Sequence, residues 1–234
     1  MSNLYLIATP IGNRLDITVR ALKTLFSVEI LLCEDTHKTK QLLDFYLQSF
    51  PDLLTDKTIP QLISFFEHNE EQKLNLVLNF LKQDKNVGLV SNAGTPTISD
   101  PGFRLVKICR ENKFNVITIP GPSAVIAALS ISGLSSDKFL FLGFLPRKTG
   151  KQTKIWEEIK NSKLDQTVIF YESPFRIGKT LEHIKVVFGN IEITVARELT
   201  KIHEELVTAP ISFWEERLQR PLKGELVVLF RSEK

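Results

Sequence analysis

The sequence predicts an α/β protein of two domains. Residues 1–120 read as a mostly parallel sheet with flanking helices, and residues 121–234 as a mixed sheet with helices. Three observations carry this. In the first half, five short apolar runs alternate with stretches whose apolar residues recur at helical spacing, the rhythm of strands joined by right-handed helical crossovers. Pro120-Gly121-Pro122-Ser123-Ala124 then punctuates the chain. Beyond it strands come in runs as well as in alternation, which calls for antiparallel neighbours.

Asn3 to Thr9 reads as the first strand, broken by Thr9-Pro10-Ile11-Gly12-Asn13. A helix from Asp16 to Phe26 places Ile17, Ala21, Leu22 and Leu25 on one face. Val28 to Cys33 reads as a strand, apolar but for Glu29, as suits a strand covered on both sides. Glu34-Asp35-Thr36 ends it, with Thr36 expected to cap a helix carrying Leu42, Leu43 and Tyr46. Leu62 to Phe66 is a third strand ending in Glu67-His68-Asn69-Glu70, and Leu74, Val77, Leu78 and Leu81 mark the next helix. Asn86 to Ser91 is a fourth strand. It delivers a loop of small and polar residues, Asn92 to Ser99, to a helix start where Asp100 is expected to cap the first turn and Pro101 to occupy its first position. Phe114 to Ile119 is the fifth strand.

After the punctuation, Ala124 to Ser132 is a helix of small apolar residues stopped by Gly133. Lys138 to Phe144 reads as a strand, and Pro146 to Lys154 as a basic loop before a helix with Ile155, Trp156 and Ile159. Thr167 to Tyr171 is a strand, and Glu172-Ser173-Pro174 a helix start for Ile177, Leu181, Ile184 and Phe188. Ile191 to Ala196 and Glu204 to Thr208 pair as a hairpin; a short helix from Ser212 to Leu218 and a strand from Glu225 to Phe230 close the chain.

Composition narrows the classes. Apolar content of 43% and charged content of 24% are those of an ordinary globular protein, and there is no apolar run long enough for a membrane span. The N-terminus carries no basic region ahead of its apolar run, so no signal peptide is read. Cys33 and Cys109 stand among apolar neighbours without metal spacing, as reduced core residues of a cytoplasmic protein. The net charge of +3 identifies no partner; the local crowding of Arg147, Lys148, Lys151 and Lys154 suggests a phosphate-binding segment. G-x-G-x-x-G, the P-loop, H-E-x-x-H, G-x-S-x-G and C-x-x-C are all missing, which removes the commonest signatures of hydride transfer, nucleotide hydrolysis and metalloprotease chemistry.

Polar clusters fall at four strand ends, near Pro10, Glu34, His68 and Asn92, and in a parallel sheet these ends share one edge. A ligand site is therefore expected there. Candidates for proton transfer are Glu34, Asp35, His68, Asp100 and, in the second half, Glu198. The spacing alone does not choose among them.

Thr9 to Asn13, Glu34-Asp35-Thr36, Phe66 to Glu70, Ser91 to Gly102, Pro120 to Ala124, Gly143 to Lys148, Phe170 to Pro174, Ala196 to Lys201 and Lys223-Gly224-Glu225 occur in order. Together they resemble the ribosomal small subunit methyltransferase I family, a branch of the tetrapyrrole methylase superfamily, the class III S-adenosylmethionine methyltransferases. The resemblance spans essentially the whole chain. It implies two α/β domains with S-adenosyl-L-methionine bent into the cleft between them, a homodimer, and 2'-O-methylation of a cytidine in the decoding centre of 16S rRNA. It also implies cofactor contacts at Pro10, Asn92, Gly94, Thr95, Ser123, Ala124, Tyr171 and Glu172, with the backbone N–H groups of Gly94 and Thr95 meeting the methionine carboxylate. Asn92 stands where the family reads Asp, and His37 where it has Arg; many relatives continue into a small helical extension past the last strand. Asn92→Asp is expected to tighten cofactor binding by adding an anionic acceptor. Two other readings stay open, a small-molecule methyltransferase acting on a tetrapyrrole and a non-catalytic RNA-binding relative.

Overall fold

The computed structural model describes residues 2–232. The chain divides into two compact units, Met1–Ser123 and Ala124–Lys234.

The first unit runs β1 (Asn3–Ile7), α1 (Val19–Ser27), β2 (Ile30–Cys33), α2 (Thr36–Ser49), β3 (Gln61–Ser64), α3 (Glu70–Lys82), β4 (Val87–Val90), α4 (Phe103–Glu111) and β5 (Asn115–Ile119). All five strands are parallel, in the order β3-β2-β4-β1-β5. Successive residues point to opposite faces. Leu31 and Cys33 pack with Ala21, Leu22, Leu43 and Tyr46 of α1 and α2, whereas Ile30 and Leu32 pack with Val77, Leu81 and Leu105 of α3 and α4. The connection after β2 runs outward to β3, and that after β4 runs the other way to β5. The two diverge between β2 and β4, and such a switch point opens a crevice beyond the carboxyl ends of the strands.

Three helix starts differ from the sequence reading. Arg14–Asp16 is a separate 3-10 turn, and α1 begins only after Thr18, whose hydroxyl accepts from Ala21 N (3.0 Å). Asp35, rather than Thr36, caps α2: its carboxylate accepts from His37 N (2.9 Å) and Lys38 N (3.0 Å). Asp100 is not a cap. Gly102 precedes α4 with φ +123°, a region open to glycine, and a Cβ there would meet Leu89 at 2.5 Å. The loop after β4 is therefore longer than expected.

The second unit runs α5 (Ala124–Ile131), β6 (Phe139–Phe144), α6 (Thr149–Ser162), β7 (Gln166–Glu172), α7 (Ile177–Phe188), β8 (Glu192–Arg197), β9 (Glu205–Pro210), α8 (Ile211–Arg217) and β10 (Leu226–Ser232). Its sheet has the order β6-β7-β10-β8-β9 and is mixed. β6 is parallel to β7, β10 is antiparallel to β7 and β8, and β8 and β9 form an antiparallel hairpin. Trp156, Ile177, Leu181, Ile184 and Trp214 of α6, α7 and α8 bury Val168, Phe170, Val195, Val228 and Phe230. Two expectations are corrected here. α6 begins at Thr149, so Lys151 and Lys154 ride on a helix rather than a loop. α7 begins at Ile177 and not at Ser173-Pro174, because Ser173 O accepts from Arg176 N (2.9 Å) and Ile177 N (3.0 Å) in an intervening turn.

Candidate functional site

The loop after β4 is the hub of the first unit's carboxyl edge. Thr9, beyond β1, exchanges backbone hydrogen bonds with Gly94: Thr9 N donates to Gly94 O (2.9 Å), and Gly94 N to Thr9 O (3.0 Å). Thr95 Oγ1 donates to Pro122 O (3.1 Å), tying in the segment after β5. Across the switch point, Asn92 donates twice to Glu34 at the end of β2, from its backbone N to Oε1 (3.1 Å) and from Nδ2 to Oε2 (3.2 Å). Four strand ends are thus laced through one loop. The backbone there is held in uncommon conformations: Thr97 at φ 74° and Ser99 at φ 63° join Gly94 and Gly102 in the left-handed region.

Asp100 lies half-buried in this loop, within reach of the Ser91 hydroxyl and the Glu34 carboxylate. Burial pushes its carboxyl up to about 6, Glu34 adds to the rise, and the Ser91 hydroxyl opposes it. Among the described residues neither Glu34 nor Asp100 is in an ion pair. Two carboxylates near each other with only neutral donors form a site that accepts protons, hydroxyls or a cation.

The remaining candidates of this unit do other work. The Asp35 carboxylate is spent on the α2 cap, where the Lys38 backbone N–H above all holds its pKa below the usual range. His68 is exposed in the turn beyond the edge strand β3, with its ring against that of Phe66. Pro10 is buried beside Thr9. The Gly94 N–H, expected to face a ligand carboxylate, is committed to Thr9 O, so Gly94 contributes shape and not a donor. The amide of Asn92, read as an acceptor replacing Asp, serves as a donor to Glu34. Ser123 ends the first unit, and Ala124 opens α5 of the second.

At the corresponding edge of the second unit Glu172, Glu198 and Glu205 each have a cationic partner. Glu172 is 2% exposed and turns toward the helices, accepting from Thr180 Oγ1 (2.7 Å), Ser173 N (2.8 Å) and Arg176 Nε (3.3 Å). Its side chain is thus enclosed among its own unit's helices. Arg176 continues the network by donating to Leu145 O (2.9 Å), while Gln152 Nε2 donates to Pro146 O (2.7 Å). The root of the basic segment is thereby anchored. Tyr171, one residue earlier, points to the other face, its ring 5.0 Å from that of Phe141 and 5.3 Å from that of Phe144. Glu198 accepts from Lys201 Nζ (2.8 Å) and Glu225 N (2.9 Å), and Lys201 foremost, then Glu225 N, hold its carboxyl below the usual range. Arg197 binds Glu205 (3.0 Å), which also meets Arg217 (2.6 Å). Burial works the other way, yet the two guanidiniums keep Glu205 low.

Arg147, Lys148, Lys151 and Lys154 lie outside the ion pairs found among the described residues, and Lys148, Lys151 and Lys154 stand toward solvent on the segment that enters α6. Among the described residues no group of three or more His, Cys, Asp and Glu side chains could hold a metal, and no helix is long and apolar enough to cross a membrane. The Glu34–Asn92 pairing and the approach of Ser91 to Asp100 are beyond the sequence reading. Their only signal there is that Glu34, Ser91 and Asn92 stand at the ends of two strands, with Asp100 in the loop that follows the second.

The family model of tetrapyrrole (corrin/porphyrin) methylases matches residues 3–213. A protein named ribosomal RNA small subunit methyltransferase I from Thermotoga maritima is 40% identical over 98% of this chain and 98% of its own. The protein of the same name from Hydrogenobaculum sp. is 41% identical over 98% of this chain and 96% of its own. The chain belongs to the tetrapyrrole methylase family, in its ribosomal RNA small subunit methyltransferase I branch. A relative of that name from Escherichia coli O157:H7, 40% identical, covers 99% of this chain with 78% of its own length. Solved members of the wider family share the fold at much lower identity. They include a cobalt precorrin-4 methyltransferase (TM-score 0.68, 16% identical, 97% of this chain and 94% of that one). Another is a uroporphyrin-III C-methyltransferase from Thermus thermophilus complexed with S-adenyl homocysteine (TM-score 0.65, 16% identical, 97% of both chains).

Proposed function

We propose that the protein is a methyltransferase of small-subunit ribosomal RNA that uses S-adenosyl-L-methionine and methylates the 2'-oxygen of a cytidine in the decoding centre. The observation that carries this reading is identity of about 40% over nearly the full length of both chains to proteins named for methyl transfer to that RNA. The cytidine and its 2'-oxygen rest on the ordered motifs between Thr9 and Glu225. The tetrapyrrole methyltransferases share the fold at 16% identity, too little to carry their substrates across. A cytoplasmic location and a homodimer belong to the same proposal.

The residues of the first unit fit the cofactor. It carries hydroxyls, an ammonium and a sulfonium, and the switch-point edge offers Glu34 and the Asn92 side-chain oxygen to such groups. Gly121 lets the segment after β5 close up on Ala8 after β1: a Cβ there would lie 2.9 Å from that of Ala8. Asn92, Thr95 and Ser123 would hold the cofactor, with Gly94 and Pro10 shaping the loop against them. When bound, S-adenosylmethionine supplies a methyl group already activated on sulfur. The chain must add alignment and a proton acceptor.

Asp100 is that acceptor in our reading. With its pKa near 6 it is mostly ionised at neutral pH yet retains enough proton affinity to assist a weakly acidic ribose hydroxyl. Glu34, clamped by Asn92, keeps that affinity high. Arg147, Lys148, Lys151 and Lys154 hold RNA phosphates.

The test is to incubate the protein with methyl-labelled S-adenosylmethionine and small ribosomal subunits and to map the product by mass spectrometry. One labelled 2'-O-methylcytidine is expected. Label on a base, or no label in RNA, would overturn the proposal.

A further inference from the structure

β6, β7 and β8 all point the same way, since β6 is parallel to β7 and both β7 and β8 oppose β10. The chain segments at their carboxyl ends therefore share one edge of the second unit. Three large apolar side chains stand out from it into solvent: Phe144 at the end of β6 (62% exposed), Phe175 beyond β7 (90%) and Ile202 beyond β8 (98%). Exposed apolar groups gathered on one edge mark a surface that something covers.

Their exposure is built in. Phe175 N donates to Ser173 Oγ (3.3 Å), and the next residue, Arg176, turns inward to Glu172 and Leu145 O, which leaves the Phe175 ring outside. Phe144 is braced by Tyr171, after a register shift in the β6–β7 pairing that lies between Phe141 and Phe144. The loop bearing Ile202 is cross-tied by Lys201 to Glu198 and Glu225, and by Lys201 N to Glu198 O and Glu204 N to Lys201 O (both 3.0 Å). Arg176 and Lys201 are thus consumed by internal acids. The basic segment that follows β6 is different, because its four charges enter none of the ion pairs among the described residues.

We propose that this edge grips unpaired nucleotides, with Phe175 as a platform on which a base stacks, Phe144 and Ile202 as its apolar flanks, and the free basic segment alongside for the phosphates. The charge selects the occupant. A second protein copy would gain nothing from four uncompensated cations, whereas single-stranded RNA offers both a π face and anions. Duplex RNA keeps its bases stacked on each other and would not use the platform. This inference rests on the reading of the protein as an rRNA methyltransferase and adds that the target stretch is bound single-stranded.

The experiment is fluorescence anisotropy with a short unpaired oligoribonucleotide and with the same strand annealed into a duplex. Wild type, Phe175→Ala and Phe175→Tyr are compared, with thermal midpoints as a folding control. Phe175→Ala should weaken binding of the unpaired strand on the order of tenfold and leave duplex binding and the salt slope unchanged, while Phe175→Tyr restores wild-type affinity. Unchanged affinity of Phe175→Ala for the unpaired strand would overturn the inference. So would equal weakening toward both RNAs, or a loss of dimer in sedimentation as the main effect. Wild type that binds neither RNA at low salt would instead sink the rRNA reading beneath it.

Discussion

The two sheets of this protein end in the same way, with loops rich in acids beyond their strands, but they treat those acids in opposite ways. In the second unit Glu172, Glu198 and Glu205 each meet Arg or Lys, and Glu198 and Glu205 are held below the usual carboxylate range. In the first unit neither Glu34 nor Asp100 enters an ion pair among the described residues; Glu34 accepts from Asn92, and burial, then Glu34, pushes Asp100 up. A carboxylate satisfied by a cation is a staple. One left beside another carboxylate has free proton affinity, and strained φ angles at Thr97 and Ser99 lie in the same loop. In our proposal this difference separates scaffold from chemistry among residues that look alike in sequence.

Breaking a staple should cost stability. Glu172→Ala leaves Arg176 and Thr180 facing a buried space, and about 3 kcal/mol should be lost in denaturant unfolding. A loss under about 0.5 kcal/mol, the range of ordinary surface substitutions, would mean that the network is not a staple.

Removing free charge should act on RNA and not on the fold. With Arg147, Lys148, Lys151 and Lys154 all replaced by Ala, the thermal midpoint should hold while RNA affinity falls. Its salt dependence should flatten by roughly 0.7 in log–log slope for each phosphate no longer neutralised. An unchanged slope would show the segment to be a solvated face.

The smallest effect belongs to Asn92→Asp. The sequence suggests tighter cofactor binding, but the structure spends the amide on Glu34, so Asp would set two carboxylates across the 3.2 Å now bridged. A carboxyl raised by its neighbour binds protons more tightly folded than unfolded, so it destabilises above its unfolded pKa and the cost fades as pH falls. About 1 kcal/mol should be lost near pH 8 and regained only as pH falls to about 4, the ordinary Asp pKa, or below, read from unfolding midpoints at both. Equal stability of the two proteins at pH 8 would remove the Glu34 clamp from the account.

Much of this architecture is legible in the sequence because apolar periodicity is local. Leu74, Val77, Leu78 and Leu81 announce α3, and the unbroken run ending at Cys33 announces a strand buried on both faces. Helix starts are less legible where two capping residues adjoin. Asp35 and Thr36 are equally good caps by type, and only backbone geometry selects Asp35. Asp100-Pro101 has the chemistry of a helix start, yet the turn of Gly102 delays the helix. The site is legible as positions but not as pairings. Glu34 and Asn92 lie 58 residues apart, and Glu198 meets Glu225 from 27 residues away, so nothing local distinguishes the open acid from the stapled one.

The central claim is that the unpaired acids of the first unit accept the ribose proton, and the pH dependence of single-turnover methyl transfer tests it most directly. Wild type should show activity rising through a pKa of about 6, as Asp100 ionises. Glu34→Gln should move that limb to lower pH by removing the neighbouring charge, and Asp100→Asn should abolish the limb with a rate loss on the order of 100-fold or more while the cofactor still binds. A limb that stays in place in Asp100→Asn, with the rate intact, would contradict the account and return the choice of proton acceptor to the other acids.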